Sequence, residues 1–436
     1  MEAQGIMVPD NCQSLHTERY TLNMSELTEA QVDDIRRDFP SLQRQWEGKT
    51  LKFFDGPGGS QVPESVISAV SGYYRKSNSN SHGLFVTSRE TDEVLAQART
   101  AMTDFLGAPG PETISLGANM TTLNYSLSHA LARKFSKGDE ILITALDHEA
   151  TRGPWLGLCE CGFRVREIAR EAGGLARQVE ALEKMMSPRT RLVAVGWASN
   201  ALGIVNDIAR IRELTRKAGS LMLVDAVHYA PHYTIDVAEA DIDFLLCSAY
   251  KFYGPHVGIL YSRPGLLDSL DPDRLKTQDQ QAPFRIETGT LNHAAITGVT
   301  AAVEYLAGFG EGTSRREKLV SGMDRISKWE FSLGRKFFEA LGRIPGIEIY
   351  GPDYPSEPGW RTPTVGFRHN RSEPAEICEY LGEKGFLLWD GDFYAARVIE
   401  LLGLADRGGV VRAGMSLYTL EKEVDGLLAA VAELAE

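Results

Sequence analysis

The sequence predicts an α/β protein, with a large domain built on a three-layer, mostly parallel sheet and a smaller α/β domain beside it. Between about residues 50 and 300, short apolar runs alternate with amphipathic helical stretches; the clearest runs are residues 140–144, 192–195 and 221–224. Apolar strands separated by helices are typical of a parallel sheet covered on both faces. In such sheets, ligands bind beyond the carboxyl ends of the strands.

The rest of the chain predicts the domain boundaries. Residues 1–23 are polar and irregular and are interpreted as a loose arm. Thr28 and Gln31 fit a capping box, so a helix is expected there, ending near Phe39 and Pro40. A long helix is expected over about 315–342, then a strand at 364–367 and helices at 374–384 and from about 421. We expect residues 45–310 to form the large domain, and residues 24–44 with 311–436 to form the small one.

Composition excludes several classes of partner. The chain of 436 residues has a formal net charge of −13, which argues against nucleic acid and anionic membranes. The five cysteines are scattered, and Cys159 and Cys161 lack a second pair at zinc-finger spacing, so neither a metal site nor disulfides are expected. With no signal peptide and no apolar stretch of membrane-spanning length, a cytoplasmic protein is expected.

Lys251 is the most informative position. The apolar run Phe244–Leu246 leads into a small polar turn that ends at this lysine, and Gly254 and Pro255 then prevent a regular helix. A surface lysine is one interpretation. The other is a lysine whose amine, with its pKa lowered by burial, forms a Schiff base with a carbonyl cofactor.

Asp225 favours the second interpretation. It ends the apolar run 221–224, about two dozen residues before Lys251. A carboxylate in that place suits pyridoxal 5'-phosphate, because it keeps the pyridine nitrogen protonated and the ring able to accept electrons. The alternative for Asp225 is a cap on the following turn.

These two elements together resemble the class V aminotransferase family, and within it the cysteine desulfurase-like branch. The resemblance covers roughly residues 50–430. It implies a fold type I pyridoxal-phosphate enzyme acting on a small α-amino acid, and a homodimer with composite active sites. Among residues that resemble family positions, His148 is similar to the histidine that stacks on the cofactor ring, and Arg412 is similar to the arginine that binds the substrate α-carboxylate.

The resemblance also implies further cofactor contacts. Met120 and Thr121 resemble the phosphate loop at a helix N-terminus, where free N–H groups attract an anion. The other expected contacts are Ser248 and Tyr250 at the phosphate, Asn200 and His228 near the phenolic oxygen of the cofactor, and Thr290 at the phosphate of the neighbouring subunit. Tyr250 stands where the family has histidine, and His228 where desulfurases have glutamine.

The pattern departs from the desulfurases in one loop. When residues 384–395 are aligned with the desulfurase loop that carries the sulfur-accepting cysteine, Tyr394 falls at the position of that cysteine. Cys378 is interpreted as a helix residue that faces the core. The same loop carries Trp389, Asp390 and Asp392, which are interpreted either as a structural turn or as a substrate pocket with aromatic and acidic walls.

These observations predict a pyridoxal-phosphate enzyme that forms a carbanion at the α-carbon of an amino acid. Lyase or side-chain elimination or replacement chemistry, including cyclisation, is expected, and not persulfide-forming desulfuration. An aminotransferase and an epimerase stay open as alternatives. A non-catalytic desulfurase-like partner protein is the alternative of another class, and a sugar aminotransferase is disfavoured because a sugar has no carboxylate for Arg412.

Overall fold

The computed structural model describes residues 26–168 and 178–435. The arm predicted for residues 1–23 lies outside these ranges. The predicted α/β fold class is confirmed, with a large mixed sheet and helices packed against it.

Fifteen strands are present in the described residues. They are β1 (Gln45–Trp46), β2 (Lys49–Thr50), β3 (Lys52–Phe53), β4 (Ile114–Gly117), β5 (Glu140–Thr144), β6 (Arg164–Ile168), β7 (Thr190–Gly196), β8 (Leu221–Asp225), β9 (Phe244–Ser248), β10 (Gly258–Ser262), β11 (Ile347–Tyr350), β12 (Thr364–His369), β13 (Phe386–Leu387), β14 (Trp389–Gly391) and β15 (Val410–Gly414).

The α-helices of the same ranges are α1 (Glu29–Ile35), α2 (Glu64–Lys76), α3 (Val86–Leu106), α4 (Met120–Lys134), α5 (Glu149–Leu156), α6 (Gln178–Met185), α7 (Ile208–Ala218), α8 (His293–Ala307), α9 (Arg315–Leu341), α10 (Pro374–Glu383), α11 (Ala396–Leu401) and α12 (Glu421–Ala432). No helix in the described part of the chain is long and apolar enough to cross a membrane.

The large sheet has seven strands in the order β4-β10-β9-β8-β7-β5-β6. Neighbours pair in parallel from β9 through to β6, whereas β10 is antiparallel to both β4 and β9. Every residue of β5, β9 and β10 is buried, as expected for strands covered on both faces. Because β4, β5, β7, β8 and β9 point the same way, their carboxyl ends form one edge.

A second sheet has four strands in the order β11-β12-β15-β14, all antiparallel. Residues 347–414 contain these four strands. The strand predicted near 364 is observed there as β12, and the helix predicted near 374 is observed as α10. The division into two domains at residues 45 and 310 stays a prediction.

The N-terminal helix differs from its prediction at one end. Thr28 caps α1 with the predicted Gln31 capping box. The α-helix, however, ends at Ile35, and residues Arg36–Asp38 tighten into a 3-10 turn. The Arg36 side chain leaves this turn to pair with Glu423 of α12, which ties the two ends of the described chain together.

Candidate active site

Most of the predicted site residues follow strands at the carboxyl edge of the large sheet. Asp225 ends β8 and Ser248 ends β9, with Lys251 in the 3-10 turn that follows. His148 comes shortly after β5, and Asn200 comes shortly after β7. The fold therefore brings side chains from four separate strands to one edge.

Lys251 is buried, and its amine donates a hydrogen bond to the carbonyl oxygen of Pro57. Burial lowers its pKa to about 7, and the Arg412 charge adds to this, against the opposing charges of Asp225 and Asp55. An amine with such a pKa is about half unprotonated at pH 7, and the unprotonated form is a nucleophile.

Asp225 is buried and accepts two hydrogen bonds. The Val227 amide donates to Oδ1 at 2.9 Å, and the Thr151 hydroxyl donates to Oδ2. Burial raises the pKa of Asp225, while these two donors and the Lys251 charge act to lower it. The neighbouring carboxyl of Asp147 has its pKa raised to about 7, first by burial and also by the Asp225 charge.

His148 occupies the N-cap position of α5. Its Nδ1 accepts a hydrogen bond from the Ala150 amide at 2.9 Å, so Nδ1 carries no proton in this arrangement. Burial lowers the pKa of His148 to about 4, and the Lys251 and Arg412 charges add to this. The imidazole is therefore neutral at pH 7. A neutral ring is consistent with the stacking on another aromatic ring that is predicted for His148.

Arg412 lies in β15 with its guanidinium buried. Nη1 donates to the backbone oxygen of Asn200 at 3.1 Å, the guanidinium carbon lies 4.1 Å from the centroid of the Phe393 ring, and Nε has no partner within the protein. Burial lowers the pKa of Arg412 to about 10, so it keeps its charge at neutral pH. A buried cation with donors to spare suits a carboxylate.

Asn200 connects this arginine to the loop that covers it. The Asn200 amide nitrogen donates to the Phe393 backbone oxygen at 2.9 Å, while its Oδ1 is buried without a partner. An orphaned acceptor of this kind, next to the orphaned donor of Arg412, is expected where a bound molecule completes the hydrogen bonding.

The N-terminus of α4, a kind of position that suits anions, lies beside the end of β9. Asn119 caps the helix, and the Met120 amide points at the Ser248 hydroxyl at 3.4 Å. Thr121 follows, with its hydroxyl 3.7 Å from the Met120 sulfur. Gly258 at the start of β10 packs directly against the Asn119–Met120 peptide: a Cβ there would be 2.6 Å from the Met120 nitrogen, so position 258 has no room for a side chain.

His228 has one bonded and one free ring nitrogen. Nε2 lies 3.0 Å from the Thr364 hydroxyl and 3.1 Å from the Thr362 hydroxyl, while Nδ1 is buried without a partner. Burial holds the pKa of His228 well below its usual range, with His232, Lys251 and Arg412 adding to this. The ring is neutral, with one nitrogen left for a ligand.

The segment from 389 to 394, predicted as a loop, begins as strand β14, which pairs with β15, and carries the predicted substrate residues in different settings. Trp389 and Tyr394 are exposed, Asp390 is half-buried, and Asp392 accepts a hydrogen bond from the Tyr394 amide at 2.8 Å. The Tyr394 ring lies 5.5 Å from the His148 ring. Phe393 and Tyr394 both have left-handed backbones, with φ of 56° and 57°, which is uncommon for bulky residues.

A cavity of about 240 Å³ lies between this loop and the Lys251 turn. Its walls include Asp55, Gly58 and Trp389 on one side and Tyr250 and His256 on the other. The Tyr250 and His256 rings are stacked, with centroids 4.7 Å apart and planes within 7°. Burial raises the pKa of Asp55, against the Trp389 indole N–H and the charges of Arg412 and Lys251.

Thr290 lies apart from these residues. It is exposed and lines a different cavity, of about 250 Å³, together with Tyr74, Asn80 and His293. Its predicted contact with a neighbouring subunit's phosphate stays a prediction.

Several residues of the site were not predicted from the sequence. Thr151, Thr362 and Thr364 gave no signal because a threonine that bonds another side chain looks like any other in the sequence. Asp55 had one available signal, the Gly-rich segment 56–59 that follows it and brings main chain close to Lys251 and Arg412.

Comparison with known proteins places the chain in a family. The family model described as "Aminotransferase class-V" matches residues 52–427. A cysteine desulfurase of an Enterobacter species is 30% identical over 418 residues, covering 91% of this chain and 96% of that protein. The chain therefore belongs to the class V aminotransferase family, which makes it an enzyme that uses pyridoxal phosphate.

Solved structures agree with the fold. A cysteine desulfurase from Escherichia coli, in an S-sulfonic acid form, is 27% identical with a TM-score of 0.80 and covers 94% of this chain and 99% of its own. An apo cysteine desulfurase from Thermococcus onnurineus is 26% identical with a TM-score of 0.82, covering 92% and 98%.

These comparisons correct the expected reaction. Persulfide-forming desulfuration was not expected, because Tyr394 stands where desulfurases carry the sulfur-accepting cysteine. Relatives at about 30% identity over nearly the whole chain are named cysteine desulfurases, so the expectation of elimination or replacement chemistry, with transamination and epimerisation as alternatives, was wrong. The likeness extends over nearly the whole chain, whereas the departure is confined to one segment.

The residues present fit pyridoxal phosphate. The helix N-terminus at Met120 and the Ser248 hydroxyl offer donors to a phosphate, and Asp225 offers a carboxylate to a protonated ring nitrogen. The unpartnered atoms of His228, Asn200 and Arg412 lie among the same group of side chains. No group of side chains in the described ranges is arranged to hold a metal ion.

Proposed function

We propose that the enzyme removes the sulfur atom of L-cysteine, leaving L-alanine, with pyridoxal phosphate attached at Lys251. The proposal is supported above all by the grouping of Lys251, Asp225 and His148 at the carboxyl edge of the large sheet. Arg412, from β15 of the four-stranded sheet, lies near enough for its charge to act on Lys251 and His148. The likeness to named cysteine desulfurases over nearly the whole chain supports the choice of reaction.

Each residue has a separate part in the proposed reaction. When bound, the cofactor withdraws electrons from the α-carbon of the substrate. Arg412 binds the substrate carboxylate, and Asn200 orients it. Asp225 would hold the proton on the ring nitrogen of the cofactor, and the neutral His148 ring would stack on the cofactor ring. The Lys251 amine, with its pKa near 7, takes a proton from the substrate α-carbon and returns it.

The sulfur needs a thiol to receive it. In a balanced reaction, the C–S bond of cysteine breaks and the released sulfur bonds to the acceptor sulfur, forming a persulfide. A proton takes the place of the released sulfur on the β-carbon, which gives alanine. Among the described cysteines, Cys247 is buried in β9, Cys378 is half-buried on α10, and Cys159 and Cys161 are exposed in the 3-10 turn that follows α5. We propose that the acceptor thiol enters through the cavity between Trp389 and Tyr250.

The test is to incubate the protein with pyridoxal phosphate, L-cysteine and dithiothreitol, and to measure alanine, pyruvate and sulfide. Alanine and sulfide are expected in equal amounts. Lys251→Ala should abolish both, and Lys217→Ala, at an exposed lysine, should abolish neither. Pyruvate in place of alanine would show elimination and overturn the proposal.

The acceptor is tested by serine substitution of each cysteine. If the thiol comes from outside, every single variant, Cys12→Ser included, keeps its turnover with dithiothreitol. Loss of turnover in one variant alone would instead identify that cysteine as the acceptor.

We further propose that two chains form a homodimer with composite sites. Leu84, Phe85 and Val86 form a run of apolar side chains that are 87%, 59% and 69% exposed. The segment that carries them also lines the cavity beside Thr290, through Asn80. A run of exposed apolar residues is typical of a protein interface, and a second copy would cover it while Thr290 reaches the partner's site.

A further inference from the structure

Thr151 is a buried side chain to which neither the sequence pattern nor the proposed reaction gives a role. It is fully buried, and its hydroxyl donates to Oδ2 of Asp225. The other carboxylate oxygen already accepts from the Val227 amide. Asp225 is thus held by two donors on two different elements.

The setting of Asp225 makes such donors important. Removing a carboxylate from water favours its neutral form, and hydrogen bonds to the charged form oppose this. A second buried carboxylate, that of Asp147, lies near enough for the two charges to repel each other. Without a donor at Oδ2, the ionised form of Asp225 would lose one of its few stabilising contacts.

Thr151 also shares a helical turn with His148. The Thr151 amide donates to the His148 backbone oxygen at 2.9 Å, and the Asn124 side chain fixes this turn by donating to the Ala150 oxygen at 2.8 Å. One turn of α5 therefore positions both the stacking ring and the donor to Asp225.

We propose that Thr151 is a positioning residue that holds the Asp225 carboxylate ionised and oriented toward the ring nitrogen of pyridoxal phosphate. The proposal rests on the proposed role of Asp225. It does not depend on the reaction that follows cofactor binding, so disproving desulfuration would not disprove it.

The test measures binding and does not require activity. Apo-protein is titrated with pyridoxal phosphate and with its 1-deaza analogue, which has a C–H in place of the ring nitrogen but the same aldehyde and phosphate. The ratio of the two dissociation constants isolates the contact at the ring nitrogen. Wild type, Thr151→Val and Thr151→Ser are compared.

Thr151→Val removes the hydroxyl at nearly constant shape. We expect it to weaken pyridoxal phosphate binding on the order of 10-fold, as for loss of a charge-assisted hydrogen bond, while binding of the deaza analogue stays the same. Thr151→Ser, which keeps the hydroxyl, should restore the wild-type ratio. If the valine variant does not fold, Thr151→Ala gives the same comparison.

Two outcomes would overturn the proposal. Equal weakening of both ligands, or no weakening of either, would mean that Thr151 has no specific effect at the ring nitrogen. A changed ratio that serine fails to restore would assign the effect to packing of the threonine methyl group.

Discussion

At the scale of single residues, the site combines two cations that are both buried, Lys251 and Arg412. Neither has a carboxylate within hydrogen-bonding distance, and each lowers the pKa of a neighbouring group: Arg412 that of Lys251, and both that of His148. A negatively charged ligand would be their counterpart. Under the proposed function, substrate binding at Arg412 and proton transfer at Lys251 would be linked through these charges.

The role of Arg412 gives the first prediction. Arg412→Gln should raise KM for L-cysteine about 10- to 100-fold, because it removes a charge-assisted pair with the substrate carboxylate. Inhibition by cysteamine, which lacks the carboxylate, should change little. Arg407→Gln, at an exposed arginine, is the control. Equal losses for both ligands would contradict the assignment.

The second prediction concerns pH. Because burial and Arg412 bring the pKa of Lys251 to about 7, the rate at which apo-protein attaches pyridoxal phosphate should rise with pH and level off above about pH 7. In Arg412→Gln, one lowering influence is lost and the midpoint should move to higher pH. Stopped-flow absorbance measures this rate. A rate that keeps rising toward about pH 10.4, the ordinary lysine value, would show that Lys251 is not perturbed.

Residues that follow strands were predictable from the sequence, because the end of an apolar run marks the edge of the sheet. Asp225 and Lys251 were found in this way, and the structure brings them to that edge, although their roles stay proposals. Thr362 and Thr364, which bond His228, were not found. They are distant in sequence from it, and only the packing of β12 beside the large sheet brings them there.

At the scale of elements, the buried ion pair between Arg36 and Glu423 joins the 3-10 turn after α1 to the first turn of α12. It is bidentate, with N–O distances of 2.8 and 2.9 Å, and Arg36 also donates to the Tyr418 oxygen at 2.6 Å. Burial raises the pKa of Glu423, while Arg36 acts to lower it. An unpaired Glu423 in this place would be costly.

The third prediction follows from that pair. Arg36→Met should lower the free energy of unfolding by about 3–5 kcal/mol, because it leaves a buried carboxylate without a partner. Arg37→Met is a matched control, since Arg37 is exposed and its pair with Asp34 should contribute about 0–1 kcal/mol. Urea denaturation of both variants measures the difference. Similar small losses in the two would show that the Arg36 pair is not important for stability.

Helices and buried strands were predicted well because their apolar patterns are strong. The expected helix at 315–342 is observed as Arg315–Leu341, and the expected strand at 364–367 extends to His369. The antiparallel direction of β10 was not predicted. The apolar pattern of a buried strand is the same whether the strand is parallel or antiparallel to its neighbour. Only the short connection from Lys251 to Gly258 indicated that the chain reverses direction.

At the scale of the whole molecule, the proposed dimer gives the fourth prediction. Phe85→Asp places a charge in the exposed apolar run and should shift the protein from dimer to monomer in analytical ultracentrifugation, because an unpaired charge is costly in an interface. It should also weaken cofactor binding if Thr290 acts across the interface. Leu275→Asp, at an exposed leucine outside this run, is the control. A wild-type protein that sediments as a monomer would contradict the proposal.

The approach of Gly258 to the start of α4 has a consequence for how this molecule can diversify. The proposed phosphate contacts there come mainly from backbone groups, which persist whatever side chains evolve nearby, as long as position 258 has none itself. The cavity beside the Lys251 turn, in contrast, is lined partly by large side chains such as Trp389 and His256, each replaceable one at a time. Under the proposed function, cofactor recognition would rest on the part of the chain that mutation alters least, while the side chains that meet the substrate are free to drift.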